Sequence, residues 1–169
     1  APDLWSQATM NGINSSWDYV DGTGIIVAVA DSGLDSGTND STMHPDFRDH
    51  IVDIVSLPMT PWWASTCGSP ANDGAEDIDG HGTHVAGSVL GDGTDSSGNI
   101  KGMAPEARLY FQSVGSYCAN NPPGERNTLL GIPTNKTDLF RFAAENGSRV
   151  HTNSWGNTCS PSAPCYSEY

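Results

Sequence analysis

Six apolar residues in a row, positions 25–30, run between a Gly22-Thr23-Gly24 turn and Asp31. No polar side chain interrupts them, so a strand built from them has no face to give to water. A strand buried on both faces belongs to a parallel sheet covered by helices. Residues 51–57 form a second strand candidate, 107–114 a third and 149–153 a fourth. Between them, His81–Leu90 has helical spacing, with Val85, Val89 and Leu90 on or near one face, and Gly91 and Gly93 stop it. A further helix carries Leu139, Phe140, Phe142 and Ala143, with Thr134 as its expected N-cap and Asn146-Gly147 as its end. Residues 58–80 read as a loop rich in Pro, Gly, Asn and Asp that also carries Trp62 and Trp63. Residues 92–102 read as a polar turn, and a long loop follows Val114 through Pro133. Residues 1–21 are expected to pack as short helical pieces across the sheet's edge. Strands alternating with helices imply βαβ units with right-handed crossovers, hence an α/β doubly wound, mostly parallel sheet. The length, 169 residues, fits one domain. The last strand falls where such a sheet should still be gaining strands. The sheet is therefore expected to be incomplete, with exposed apolar edge and face and poor solubility for the chain alone.

Charge and cysteine content narrow the function classes. Seven basic residues face 20 acidic ones, a net charge of -13, so no cationic surface exists to hold phosphates and nucleic acid is not an expected partner. The longest apolar run is far short of the roughly 20 residues that cross a bilayer, so no membrane partner is expected either. No basic segment followed by an apolar one opens the chain, so any export signal is expected to have been removed or never included. The cysteines are Cys67, Cys118, Cys159 and Cys165. An even count without metal-like spacing favours disulfides and an oxidising, extracellular compartment over zinc. Of the three possible pairings, the expected one is Cys159–Cys165, closing the short loop 160–164, with Cys67–Cys118. Four buried thiols are the alternative.

Catalytic groups in open parallel sheets gather at the carboxyl ends of strands. Asp31 stands there, and Gly33 frees the chain to turn away. His81 stands in the first turn of its helix, where Gly82 lets another backbone approach and Gly87 lets the helix lie tightly on the sheet. The helix N-terminus disfavours an imidazolium by about 0.3–1 kcal/mol. A charge-assisted bond from Asp31 favours it by about 1.5–3 kcal/mol. The aspartate should win, orienting the ring and steadying its cation, which is how a general base is built. His84, one turn on, is expected to hydrogen-bond inside the fold, and a His81/His84 metal pair lacks a third ligand.

Val29-Ala30-Asp31-Ser32-Gly33 and His81-Gly82-Thr83-His84-Val85-Ala86-Gly87 resemble the aspartate and histidine signatures of the subtilase family of serine proteases. Lys101-Gly102-Met103-Ala104-Pro105-Glu106-Ala107 is similar to the Gly-x-Ala-Pro segment that follows the family's histidine helix. His151-Thr152-Asn153-Ser154-Trp155-Gly156 is similar to its substrate-lining strand. Asn39-Asp40-Ser41-Thr42-Met43-His44 and Phe111-Gln112-Ser113 extend the likeness to secreted bacterial subtilases known as oxidatively stable alkaline proteases. The resemblance implies a subtilisin-like fold, with Asp31 as the orienting acid and His81 as the base. It also implies that Ser154, Trp155 and Gly156 bind an extended peptide by strand addition, opposite a wall that starts at Gly115. Trp155 and Tyr117 are candidate pocket walls, with ordinary core packing as the competing role.

The family's Ala-Gly-Asn oxyanion element and Gly-Thr-Ser-Met nucleophile have no match in this sequence. Asn153 lies in the substrate strand motif and does not take the oxyanion role. The expectation is therefore residues 1–169 as the N-terminal part of a catalytic domain, inert alone, with the remaining C-terminal part and a polypeptide substrate as partners. An inactive module that binds extended peptides or a partner chain is the rival, and a calcium-stabilised secreted domain a third reading. No cofactor is required by the chemistry, and no metal ligand is assigned. Calcium is possible as a structural ion, as in many subtilases, at an unknown site. Residues 72–79 fail the EF-hand pattern because Ala75, Ile78 and His84 fall where a ligand, Gly and Glu are needed. Asp92, Asp95 and Asn99 offer hard oxygens. Solvated turn acids are the preferred reading of both loops.

Overall fold

The computed structural model describes residues 21–70, 72–123 and 127–156. The helical pieces expected before residue 21 and the Cys159–Cys165 bond lie outside the described residues. Strand β1 (Ile26–Asp31) runs through the middle of a four-stranded sheet. It pairs in parallel with β3 (Arg108–Ser113) on one side and β6 (Val150–Asn153) on the other. Beyond β3 lies β2 (Ile51–Ser56), also parallel, giving the order β2-β3-β1-β6.

Successive strand residues point to opposite faces, and the two faces of β1 find different partners. Val27 and Val29, with Leu109 and Phe111 of β3, pack against Ala86 and Leu90 of helix α2 (His81–Leu90). Ala28 and Tyr110 meet Ala143, and Ala30 meets Leu139, both from helix α3 (Thr137–Glu145) on the opposite face. The sheet is thus covered from both sides, as the unbroken apolar run requires. Leu34, Met43 and Phe47, from the chain after β1, close the core on the α2 side. Each large side chain buried this way contributes about 1.5–3 kcal/mol. By the same alternation Asp31 shares the face of Val27 and Val29, which is the α2 face. The position of the acid therefore follows from the parity of the strand.

Four local expectations are corrected. The stretch 58–80 holds a helix, α1 (Pro61–Cys67), between an N-cap at Thr60, Pro61 in its first turn and a left-handed Gly68. These are start and stop signals in their preferred places. Helix α3 starts at Thr137, three residues after the expected cap at Thr134. Lys136 stands at the N-cap position and gives no side-chain bond, while Asn135 Oδ1 accepts from Thr137 N at 3.2 Å. The long loop after β3 contains a small antiparallel pair, β4 (Ser116–Tyr117) with β5 (Asn127–Thr128). Finally, the close contact of α2 is at Gly82, where a Cβ would lie 2.3 Å from the Gly33 carbonyl oxygen. At Gly87 it would touch only Phe47, at an ordinary 3.8 Å.

Among the described residues β6 is the outer strand, and Val150 on it is half exposed. An apolar hollow lined by Val85, Val89, Met103, Ala104 and Val150 opens beside it, on the α2 face. Among the described residues the sheet therefore has four strands and ends at β6. On the far rim, Cys67 at the end of α1 is bonded to Cys118 after β4. Met59, Ala64 and Leu130 pack around that bond.

Three replacements test these ties. The disulfide spans a sequence separation of 51, for which loop entropy gives about 4 kcal/mol. Replacing Cys67 and Cys118 by Ala should lower the urea-derived unfolding free energy by an amount of that order. Gly87→Ala should raise stability by up to about 1 kcal/mol through helix propensity. Gly82→Ala should lower it by about 1–3 kcal/mol through overpacking.

Candidate active site

At the carboxyl end of the sheet, β1 delivers Asp31 to the start of α2. His81 Nδ1 lies 2.7 Å from Asp31 Oδ1, across 50 residues of sequence. Asp31 is 1% exposed, and the same oxygen accepts the Ser32 backbone N–H at 2.7 Å. Asp31 Oδ2 is buried and has no hydrogen-bond partner among the described residues. With Nδ1 committed as donor to a carboxylate, the ring tautomer is set, and Nε2 is left to exchange protons. The hydrogen bond to Asp31, and then the charge of Asp31, hold the imidazole above its ordinary value. Asp79 and Asp77 add smaller pushes, and burial opposes them. Among these influences the Asp31 carboxylate is the largest.

A cleft of about 900 Å³ surrounds this pair. One wall continues β6 as Ser154, Trp155 and Gly156, and the other runs from Gly115 through Tyr117 and on to Leu129. The structure therefore brings together the residues marked in the sequence as the acid, the base and both substrate walls. Gly115 is required by contact, since a Cβ there would lie 1.9 Å from the Ser32 carbonyl oxygen. Trp155 serves two ends. Its ring packs beside Ala30, Val114 and Leu139, its Nε1 donates to the Ala30 carbonyl at 2.8 Å, and it also lines the cleft. Tyr117 lines the cleft as well, and its backbone N–H donates to the Asp73 carboxylate.

Other expectations need correction. His84 is exposed and its ring has no hydrogen bond among the described residues; it lines the apolar hollow beside β6. Position three along from His81 puts it on the α2 flank next to β6, where the described residues offer no polar partner. Nor are the acids of the 72–79 loop all solvated. Asp73 is taken by Tyr117, and Asn72 Oδ1 accepts from Ser56 Oγ at 2.7 Å and Gly74 N at 3.1 Å. Asp77 accepts from Ser32 Oγ, Gly80 N, Thr83 N and Thr83 Oγ1. Oxygens already facing N–H and O–H donors do not suit a calcium ion, which needs several converging free oxygens. In the second loop, Asp92 Oδ1 accepts from Thr94 N and Oδ2 faces His50 Nε2 at 3.4 Å, while Asn99 donates its amide to the Ser96 carbonyl. Neither loop forms a calcium cage from its described residues.

Sequence reading passed over the bonds by which Asp77 and Ser32 meet the start of α2. The available signal was an aspartate shortly before a helix whose own N-cap, Gly80, has no side chain. Behind the cleft a second polar relay crosses the sheet. Gln112, fully buried, donates to the Leu139 carbonyl at 3.1 Å, and its Oε1 receives His151 Nε2 at 2.9 Å. His151 Nδ1 lies 3.1 Å from the Asn153 amide. The ring serves as donor on one side and acceptor on the other, and burial pushes its pKa down.

The sequence model of the Subtilase family matches residues 22–168. The chain belongs to the subtilase family. It is 33% identical over 114 residues to the major intracellular serine protease of Bacillus subtilis (strain 168), covering 68% of this chain and 28% of that protein. It is 30% identical over 167 residues to the minor extracellular protease Vpr of the same organism, covering 94% of this chain and 17% of that protein. The chain thus spans less than a third of the length of these curated relatives. Fervidolysin from Fervidobacterium pennivorans superposes with a TM-score of 0.52 over 86% of this chain and 19% of its own, at 23% identity. That likeness speaks for the fold, a subtilisin-like α/β architecture.

The two histidines make opposite predictions for stability against pH. The folded state raises the pKa of His81, so its contribution is fully present below the unfolded value of 6.5 and is lost as pH rises through the folded value. The folded state lowers the pKa of His151, so its contribution is present above 6.5 and is lost as pH falls through the folded value. Denaturant titrations across the neutral range should show Asp31→Asn flattening the alkaline side and His151→Gln flattening the acid side.

Proposed function

We propose that this chain is the N-terminal portion of a serine endopeptidase of the subtilase family. On this reading it holds the acid, the base and both peptide-binding walls, while the nucleophilic serine and the oxyanion asparagine lie on chain outside these residues. The observation that carries the reading is the 2.7 Å contact between buried Asp31 and His81 at the floor of a cleft. In the reaction, His81 Nε2 takes the proton of the incoming serine hydroxyl as its oxygen attacks the peptide carbonyl carbon. Asp31 steadies the imidazolium that forms, and the same proton then passes to the leaving amine. Water, activated by the same nitrogen, hydrolyses the acyl-serine and frees the enzyme. Ser154, Trp155 and Gly156 on one side, and the stretch from Gly115 on the other, flank the end of β1. An extended peptide there is held through its main chain by strand addition.

The remaining C-terminal part of the same protease is the partner that fits the hollow beside β6. Its apolar lining would otherwise stay wet, and His81 and Ser154 border both that hollow and the cleft. A polypeptide is the substrate, and neither nucleic acid nor membrane is a partner. The Cys67–Cys118 bond supports a secreted protein, although relatives named as intracellular and as extracellular both occur. No cofactor is required for the chemistry. The second reading is an inactive module that binds peptides or a partner chain. The cleft between two walls that would hold an extended peptide serves that reading as well.

Labelling of the intact source protein with a phosphonofluoridate separates the two. The label should appear on a serine outside these 169 residues, and a source protein that takes up none is the inactive module. In the labelled enzyme, Asp31→Asn should lower kcat about 10,000-fold with little change in KM. The acid limb of kcat/KM should lie above the ordinary imidazole range, as the raised His81 pKa requires.

A further inference from the structure

The first N–H groups of a helix have no partner within it and must find one elsewhere. Helix α2 starts from Gly80, which has no side chain to supply a cap. Two residues outside it supply partners for the N–H groups of Gly80, Gly82 and Thr83. Gly80 N donates to Asp77 Oδ1 at 3.0 Å and Thr83 N to Asp77 Oδ2 at 2.7 Å. Gly82 N donates to Ser32 Oγ at 2.9 Å. The Ser32 hydroxyl, in turn, donates to Asp77 Oδ1 at 2.8 Å. Thr83 Oγ1 donates to Asp77 Oδ2 at 2.5 Å and accepts from Asp35 N at 2.8 Å, while Asp77 N donates to the Asp35 carbonyl at 2.9 Å.

These bonds join two segments that must meet for the chemistry. Ser32 follows Asp31, and its backbone N–H donates to the Asp31 oxygen that also receives His81 Nδ1. Gly80 and Thr83 flank His81 on the helix. One carboxylate therefore grips the strand carrying the acid through Ser32, and the helix carrying the base through Gly80 and Thr83. Asp77 does not line the cleft, so it acts through these neighbours and not on a bound peptide. We infer that Asp77, with Ser32 as its link, is a positioning residue that sets the separation and angle between Asp31 and His81. Catalytic groups need placement within about 0.5 Å, and a rigid four-bond tie at the helix start supplies it.

The inference rests on His81 being the base, so the test reads the ring directly. The charged groups facing His81 are Asp31 from β1 and Asp77 and Asp79 from the segment before α2. The titration of His81 is followed by NMR in the intact source protein and in variants of it. Ser32→Ala changes no charge but breaks the link, and Asp77→Asn puts an amide donor where two of the N–H and O–H donors need an acceptor. Both should lower the His81 midpoint toward an ordinary imidazole. Thr83→Ser, which keeps the hydroxyl, should titrate like the wild type. Asp79→Asn, whose charge acts more strongly on the ring than that of Asp77 but makes no bond to the helix, should shift the midpoint less than Asp77→Asn. A Ser32→Ala midpoint equal to the wild type, or an Asp79→Asn shift matching that of Asp77→Asn, would overturn the positioning role and leave Asp77 as a nearby charge. If Asp77→Asn does not fold, Ser32→Ala decides alone. A wild-type His81 with an ordinary midpoint is a different failure, since it removes the Asp31–His81 pair itself.

Discussion

A carboxylate buried at the end of an apolar strand is the constraint around which the rest is arranged. Asp31 is 1% exposed, at the close of a strand whose other residues are buried or nearly so. Removing such a charge from water costs several kcal/mol unless donors replace the lost solvation. Here one oxygen receives both the Ser32 N–H and the His81 ring, while the other has no partner among the described residues. The partly met carboxylate makes the His81 contact matter energetically, and the same contact gives the imidazole its raised proton affinity. Stability and chemistry meet at one bond.

That bond is only as good as the approach of the two elements bearing it. Gly82 allows the start of α2 to rest on the Gly33 carbonyl, and Gly115 allows the wall strand to rest on Ser32. Three backbone segments thus come within contact of one another where any side chain would intrude. The disulfide between Cys67 and Cys118 fixes the outer rim, holding α1 to the segment that carries Tyr117. The opposite side is unlike it. Among the described residues β6 is the outer strand with an apolar hollow beside it, the edge where more chain is proposed to dock.

Much of this was legible in residue order. The run from Ile25 to Ala30 declared a strand buried on both faces, and β1 is that strand, shifted by one residue to include Asp31. His81–Leu90 kept its bounds because Gly80 and Gly91 punctuate it on both sides. Local chemistry was misread where two signals competed. The Pro and Gly content of residues 58–80 hid α1, although Thr60, Pro61 and Gly68 are themselves helix boundaries. Thr134 looked like a cap for α3, but Asn135 reached the first N–H instead. His84 was expected to find a polar partner and faces the hollow. Asp77 looked like one turn acid among several, because nothing in its neighbours reveals that Ser32, 45 residues earlier, will be within 2.8 Å.

The sequence by itself determined the parallel sheet, the two covering helices, and the strand end and helix start on which the acid and base stand. Those follow from periodicity and from backbone punctuation, which act over a few residues. Only the tertiary structure decided which of the many acids matter, because a carboxylate's role is set by the donors around it. Asp31 and Asp77 are chemically alike and both precede glycine-rich turns. One is buried against an imidazole and the other clamps a helix to a strand, and that difference exists only once segments distant in the chain have been packed together.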